Sequence, residues 1–188
     1  ALLSGGRVVA EAYEPMEKGQ AERLLPLCQE VMARAGLALA DLDAVAVGTG
    51  PGNFTGVRIA VAAARGLALS LGVPAIGVTR LEALAEGLAR PVTVIEDARR
   101  GEVYVQEFGV EGAGRARLGR SGETEPPLGA VTGSAAGGDA LPAAMPLHHA
   151  IAVIAARRLG TGQPRPAPFY LRGADAAPPS DPPPVILP

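Results

Sequence analysis

The run Gly48-Thr49-Gly50-Pro51-Gly52-Asn53-Phe54-Thr55-Gly56 carries the strongest chemical signal in the chain. Glycines between an apolar strand and the start of a helix bare backbone N–H groups beside a positive helix end, which suits an anion or phosphate. Gly50, Gly52, Asn53, Thr55 and Gly56 are the candidate contacts. The run lacks the Lys-Ser/Thr pair of a P-loop and the spacing of the dinucleotide fingerprint, so a purely structural tight turn is the competing reading. Other reactive types are sparse. His148 and His149 are the only histidines, and neighbours on a helix point about 100° apart, so they are not expected to converge on one metal ion. Cys28, the only cysteine, falls on the apolar stripe of a helix, where a buried and inert thiol is expected. Glu96, Asp97 and Glu102 surround a charged turn and read as solvated ion pairs with nearby arginines. These types and spacings assign no catalytic residue and no metal ligand.

The elements that would hold the loop follow from periodicity. Residues 1–3, then Ser4-Gly5-Gly6, then residues 7–13 predict a strand, a tight turn and a returning strand. So short a first strand pairs poorly with the longer one after the turn, and about ten residues are therefore expected to precede Ala1 in the intact protein. Residues 17–35 predict an amphipathic helix with Leu24, Cys28, Val31 and Ala35 on its apolar stripe, Leu25 and Met32 beside it, and Gly36 at its end. Pro26 predicts either a start near Leu24 or a kink. Residues 44–47 predict a strand buried on both faces of a parallel sheet. Residues 56–71 predict a helix capped by Thr55. Arg58 and Arg65 are that helix's only charges, so cover is expected on more than one side, from its own sheet and from a second subunit. A strand over 75–78 and a helix over 80–88 continue the alternation into an α/β layer with right-handed crossovers. Pro91 divides an N-terminal lobe, 1–90, from a smaller C-terminal lobe, 91–188. There, strands over 92–95 and 103–108 flank the turn Asp97-Ala98-Arg99-Arg100-Gly101. The chain then reads as irregular from Gly109 until a helix over 151–159, and residues 178–184 predict an extended Pro-rich tail.

Composition removes several classes of function. With 48% hydrophobic and 19% charged residues and a net charge of −2, the chain has the apolar material for a core and does not fit the disordered class. Lys18 and sixteen arginines leave no strongly basic face, and six aromatics without Trp make no stacking platform, so independent tRNA or DNA binding is not expected. One cysteine permits no intrachain disulfide, which fits the cytoplasm. The longest charge-free run, residues 140–156, contains prolines and falls short of the roughly 18 apolar residues that span a bilayer, so no membrane partner is expected. Nor is a signal peptide, since no basic segment followed by an apolar one opens the chain.

The string Gly50-Pro51-Gly52-Asn53-Phe54-Thr55-Gly56-Val57-Arg58, followed by an alanine-rich helix with Gly66-Leu67-Ala68, resembles the TsaB (YeaZ) family. Ala21-Glu22-Arg23-Leu24-Leu25-Pro26-Leu27, Leu42-Asp43-Ala44-Val45-Ala46-Val47, Asp97-Ala98-Arg99-Arg100-Gly101-Glu102-Val103-Tyr104 and Tyr170-Leu171-Arg172-Gly173-Ala174-Asp175 extend the likeness over residues 1–108 and 165–188. The resemblance implies the actin-like ATPase (sugar kinase, Hsp70, actin) fold, an α/β architecture of two ribonuclease-H-like lobes. It also implies a non-catalytic subunit that scaffolds the catalytic paralogue TsaD, with the ATPase TsaE, in adding threonylcarbamoyl to N6 of adenosine 37 in tRNAs that read A-starting codons. The tRNA would be met only through that complex. No tightly bound cofactor is implied, with ATP or ADP entering only in the assembled complex. The family's first strand, with its phosphate segment, has no counterpart before Ala1, so no nucleotide contact is assigned through it. Two helices are expected to form the association surface, Leu24, Leu25, Cys28, Val31 and Met32 on the first and Ala60, Ala64 and Leu67 on the second. They would serve a homodimer and, in exchange, the paralogue. The rival readings are an actin-like-fold kinase or ATPase, using Gly133-Ser134-Ala135-Ala136-Gly137-Gly138 as a second phosphate loop, and a peptidase acting on the paralogue.

Overall fold

A computed structural model describes residues 1–123 and 126–172 of the chain. Leu2–Ser4 (β1) and Arg7–Ala10 (β2) pair antiparallel across Gly5 and Gly6, whose φ angles of 55° and 77° are the left-handed pair this turn requires. Gln20–Arg34 (α1) continues through Pro26. A start near Leu24 is therefore not adopted. The bond Pro26 removes would have ended on the carbonyl of Glu22, an exposed residue, where water can substitute. Val45–Gly48 (β3), Phe54–Leu71 (α2) and Ala75–Val78 (β4) make a strand–helix–strand unit, with β3 parallel to β4 and Val45 opposite Ala75. Arg80–Ala85 (α3) comes next and is shorter than expected.

Besides the two-stranded β1–β2 and β3–β4 sheets, a four-stranded sheet has the order β7-β6-β5-β8: Val92–Arg99 (β5), Glu102–Phe108 (β6), Arg117–Arg120 (β7) and Ala130–Thr132 (β8). β8 lies parallel to β5, and the other ladders are antiparallel. The stretch after Gly109 is thus not irregular throughout. β7 and β8 are too short to show alternation, and their pairing with the long strands specifies them. Leu147–Arg158 (α4) begins four residues before the expected 151. The tail over 178–184 lies outside the described residues.

Alternation along β3 and β4 sorts the core into layers. Val45 and Val47 meet Val57, Ala60, Val61 and Ala64 of α2 on one face. Ile76 and Val78, with Ala46, meet Ala150, Ile151 and Ile154 of α4 on the other. α3 joins the β3–β4 sheet to the four-stranded one: Leu81 and Leu84 pack on Val92, Val94 and Phe108, while Ala83 belongs to the α4 cluster. At 18 residues, α2 is long and apolar enough to cross a membrane by length and composition, contrary to the sequence-based expectation. Here Val61, Ala64 and Ala68 bury one side of it against its own sheet.

The six-residue α3 is too short to persist on propensity. Thr79 and Glu82 close a capping box at its start: Thr79 Oγ1 accepts from Glu82 N at 3.1 Å and Glu82 Oε2 accepts from Thr79 N at 2.8 Å. Arg80 then reaches Glu96 of β5, donating to Oε1 from Nη2 at 2.6 Å and from Nε at 2.9 Å. Glu96 is 6% exposed, so it is not the solvated group its sequence context suggests. Its other oxygen accepts from Ser134 N at 3.0 Å. A charge buried this far must be paired. Arg80→Ala is expected to cost about 3 kcal/mol in urea unfolding, the lower end for an orphaned buried charge because Arg80 is itself partly exposed. A loss under about 1 kcal/mol would show that Ser134 N–H alone suffices.

Candidate functional site

Residues 49–53 join β3 to α2, and several of their polar groups bond to neighbouring elements. Thr49 N donates to Val78 O at 2.9 Å, Thr49 O accepts from Phe169 N at 2.8 Å, and Gly50 O accepts from Arg80 N at 2.7 Å. Gly50 has φ 95°, and a Cβ there would lie 3.3 Å from Phe169 O, so the close approach requires glycine. Asn53 Oδ1 accepts from Gly56 N at 2.9 Å. Asn53, not Thr55, is therefore the N-cap, because the helix starts at Phe54 and places Thr55 inside its first turn. Two of the candidate anion contacts, Asn53 and Gly56, are bonded to each other. The second glycine loop is likewise occupied: Gly133 has φ 110°, with Ile95 O only 2.3 Å from where a Cβ would stand, and the adjacent Ser134 N–H serves the Glu96 carboxylate.

The solvent side of α2 is a different stripe from the one anticipated. Phe54, Arg58, Ala62, Gly66 and Leu69 succeed one another at spacings of three and four residues, and Leu69 is 80% and Phe54 43% accessible. Ala64 is not on it. Buried with Val47 and Val61, it faces β3, while Ala60 and Leu67 are half-buried. On α1, Val31 and Met32 are buried against Leu2 and are covered within this chain. Leu25 is exposed, and Leu24 and Cys28 are half-buried. Burial pushes the Cys28 thiol above its ordinary pKa, away from the reactive thiolate.

One end of the stripe is a stacked trio. Arg58 donates from Nε to Tyr170 Oη at 2.8 Å, its guanidinium lies 3.7 Å from the Phe54 ring centre, and the Phe54 and Tyr170 rings are 4.8 Å apart. Residues 112 positions apart are thereby clasped. Nothing in the periodicity announces this pair, although both residues stand in the family-like motifs of the sequence. The other end, at Leu69, opens into a groove of about 880 Å³ lined by Arg65, Arg158 and Arg165. Arg158 is tied to Gly77 O and Glu82.

Two further places depart from expectation. The β5–β6 turn holds Arg99 and Arg100 at φ 62° and 56°, a costly conformation for non-glycine residues, and Arg172 steadies it by donating to Ala98 O at 2.9 Å and pairing with Glu102. More unexpectedly, His148 and His149 do converge. Both Nε2 atoms address Glu11 Oε2, His148 at 2.9 Å. The 100° divergence applies to the Cα–Cβ bonds, whereas the rings turn edge to face at 77° and bring their far nitrogens together. Hydrogen bonds from His148 and then His149 hold the Glu11 carboxyl below its usual range.

A family model described as "TsaD: tRNA N6-adenosine threonylcarbamoyltransferase" matches residues 14–118. The Escherichia coli K12 protein named tRNA threonylcarbamoyladenosine biosynthesis protein TsaB is 42% identical over 113 residues, 57% of this chain and 48% of that protein. The match thus spans about half the length of that relative. An uncharacterized Mycobacterium tuberculosis H37Rv protein is 38% identical over 183 residues, covering 94% of this chain and 84% of its own. Among solved structures, YeaZ from Pseudomonas aeruginosa superposes with a TM-score of 0.74 at 30% identity, over 90% of this chain and 92% of that one.

The capping geometry can be checked directly. Asn53→Ala is expected to lower stability by about 1 kcal/mol in denaturant unfolding, and Thr55→Ala by much less. The reverse order would restore Thr55 as the cap.

Proposed function

We propose a function from the premise that this chain belongs to the TsaB (YeaZ) family. It acts in tRNA threonylcarbamoyladenosine biosynthesis as an accessory subunit that makes no bond itself and supports the catalytic paralogue TsaD, with TsaE as the ATPase partner. The β3–β4 sheet with its helices and the four-stranded sheet correspond on this reading to the two lobes of the actin-like fold. The observation that carries the proposal is the solvent-facing stripe of α2. A helix of this composition gains from losing its water on both sides, yet its own sheet covers only the Val61, Ala64 and Ala68 side.

Ala62 and Gly66, four residues apart on that stripe, let a second helix approach closely, and Leu69 and Phe54 supply apolar area at either end. A standard interface of roughly 800 Å² per partner would take up this face and Leu25 of the neighbouring α1. The same face serves a second copy of the chain or the paralogue, one at a time. Support for an accessory role comes from the loops: the Gly56 donor is held by Asn53, and Ser134 N–H is held by a carboxylate where a kinase would need phosphate.

Reconstitution tests this reading. With unmodified tRNA and an activated threonylcarbamoyl donor present throughout, the modified nucleoside, measured by mass spectrometry of digested tRNA, is expected only when the chain is mixed with the catalytic paralogue, the ATPase and ATP. Turnover by the purified chain alone would overturn the accessory role. For the surface, Leu69→Arg and Ala62→Arg are expected to shift the chain to a folded monomer in analytical ultracentrifugation, whereas Ala64→Arg, placed against Val47 and Val61, unfolds it. Persistent dimerisation of both outward variants would move the association surface elsewhere.

A further inference from the structure

The cluster of Glu11, His148 and His149 lies apart from the α2 face and plays no part in the function proposed for that face. Glu11 comes directly after β2, and the two histidines open α4, so residues 137 and 138 positions apart meet at one point. One donor atom from each lies within 4.8 Å of the other two. Both imidazoles aim their Nε2 at the same oxygen, Oε2, although two independent hydrogen bonds would be better served by one oxygen each. The rings pack edge to face with centres 4.6 Å apart, and the ring of Tyr13 lies 6.5 Å from His148 at only 13°, flanking it on one side.

We propose that Glu11, His148 and His149 bind one divalent transition-metal ion, of the zinc, cobalt or nickel class, which clips the segment after β2 to the start of α4. Two neutral imidazoles and a carboxylate are the donor set these ions prefer, whereas magnesium and calcium take oxygen ligands. Metal–donor bonds of about 2.0–2.1 Å place neighbouring tetrahedral ligands roughly 3.3 Å apart. Each Nε2 is already in hydrogen-bond contact with Glu11 Oε2 and all three donors lie within 4.8 Å of one another, so the approach to that separation is a matter of side-chain adjustment. The histidine side chains are 29% and 22% exposed and that of Glu11 52%, which gives an ion access from solvent. Three protein ligands leave a further position for water. The three donors meet only in the folded chain, so the ion stabilises the fold by mass action.

The test uses the purified chain, free of any histidine tag and stripped with chelator, titrated with zinc chloride by calorimetry and melted with and without the metal. One equivalent of zinc is expected to bind and to raise the melting temperature, and magnesium chloride is expected to do neither. Cobalt chloride should give the intense visible bands of a four- or five-coordinate ion. Glu11→Gln and His149→Asn should each weaken zinc binding by at least about tenfold and abolish the cobalt bands while leaving the metal-free melting temperature unchanged. Cys28→Ser should retain both signals. Zinc affinity that is unchanged in both ligand variants, or that disappears with Cys28→Ser, would overturn the proposal, as would a chain that takes up no zinc. Should one ligand variant fail to fold, the other decides.

Discussion

A two-stranded parallel sheet can cover only one side of an 18-residue helix, and much of this molecule is shaped by that limit. β3 and β4 present Val45 and Val47 to α2 and Ile76 and Val78 to α4, so each face of the pair holds one helix. The α4 side closes well, with Ala150, Ile154 and Ala155 all buried. The α2 side does not. Its helix carries apolar residues around most of its circumference, and the sheet takes the side of Val57, Ala60, Val61 and Ala64. The side left outside runs from Phe54 to Leu69.

The loops answer a second constraint, the need to pair polar groups wherever elements meet. Thr49, Gly50 and Asn53 bond to β4, α3, the residue-169 segment and their own helix, and so fix where α2 emerges from the sheet. Glu96 does the same for the four-stranded sheet, holding the start of α3 through Arg80 and the 134 loop through its backbone. Buried hydroxyls obey the same rule, Thr93 donating to Leu128 O and Thr132 to Leu141 O. Glycine-rich runs of this kind invite a phosphate reading on sequence grounds, and here the Gly56 and Ser134 N–H groups point to protein acceptors. Arg58, seated on the Phe54 ring and donating to Tyr170 Oη, then fastens the end of the chain's described part to the rim of the exposed face.

How much of this was legible depends on the kind of signal. Runs such as residues 44–47, 75–78 and 103–108 are bounded by turn residues, and each is a strand near its expected limits. β7 and β8 escaped because Arg117-Leu118-Gly119-Arg120 and three residues before Gly133 show no period of their own. The rotational setting of α2 escaped for the opposite reason: a helix apolar on nearly every side has no phase to read, and Ala64 looked as good an outward position as Ala62. Thr55 and Asn53 are both good caps by type, and only the exact helix start separates them. Bond directions alone set the two histidines apart and take no account of the reach of an imidazole, and their partner Glu11 sits too far away in sequence for any local pattern to supply.

Hydrogen–deuterium exchange on the intact chain, alone and with the catalytic paralogue added, measures most directly whether the outward face of α2 is where association occurs. Slowed exchange is expected to concentrate in α2 and the adjoining turns of α1, with β5 to β8 unchanged. Protection confined to the four-stranded sheet, with α2 exchanging as fast as in the isolated chain, would contradict association through α2.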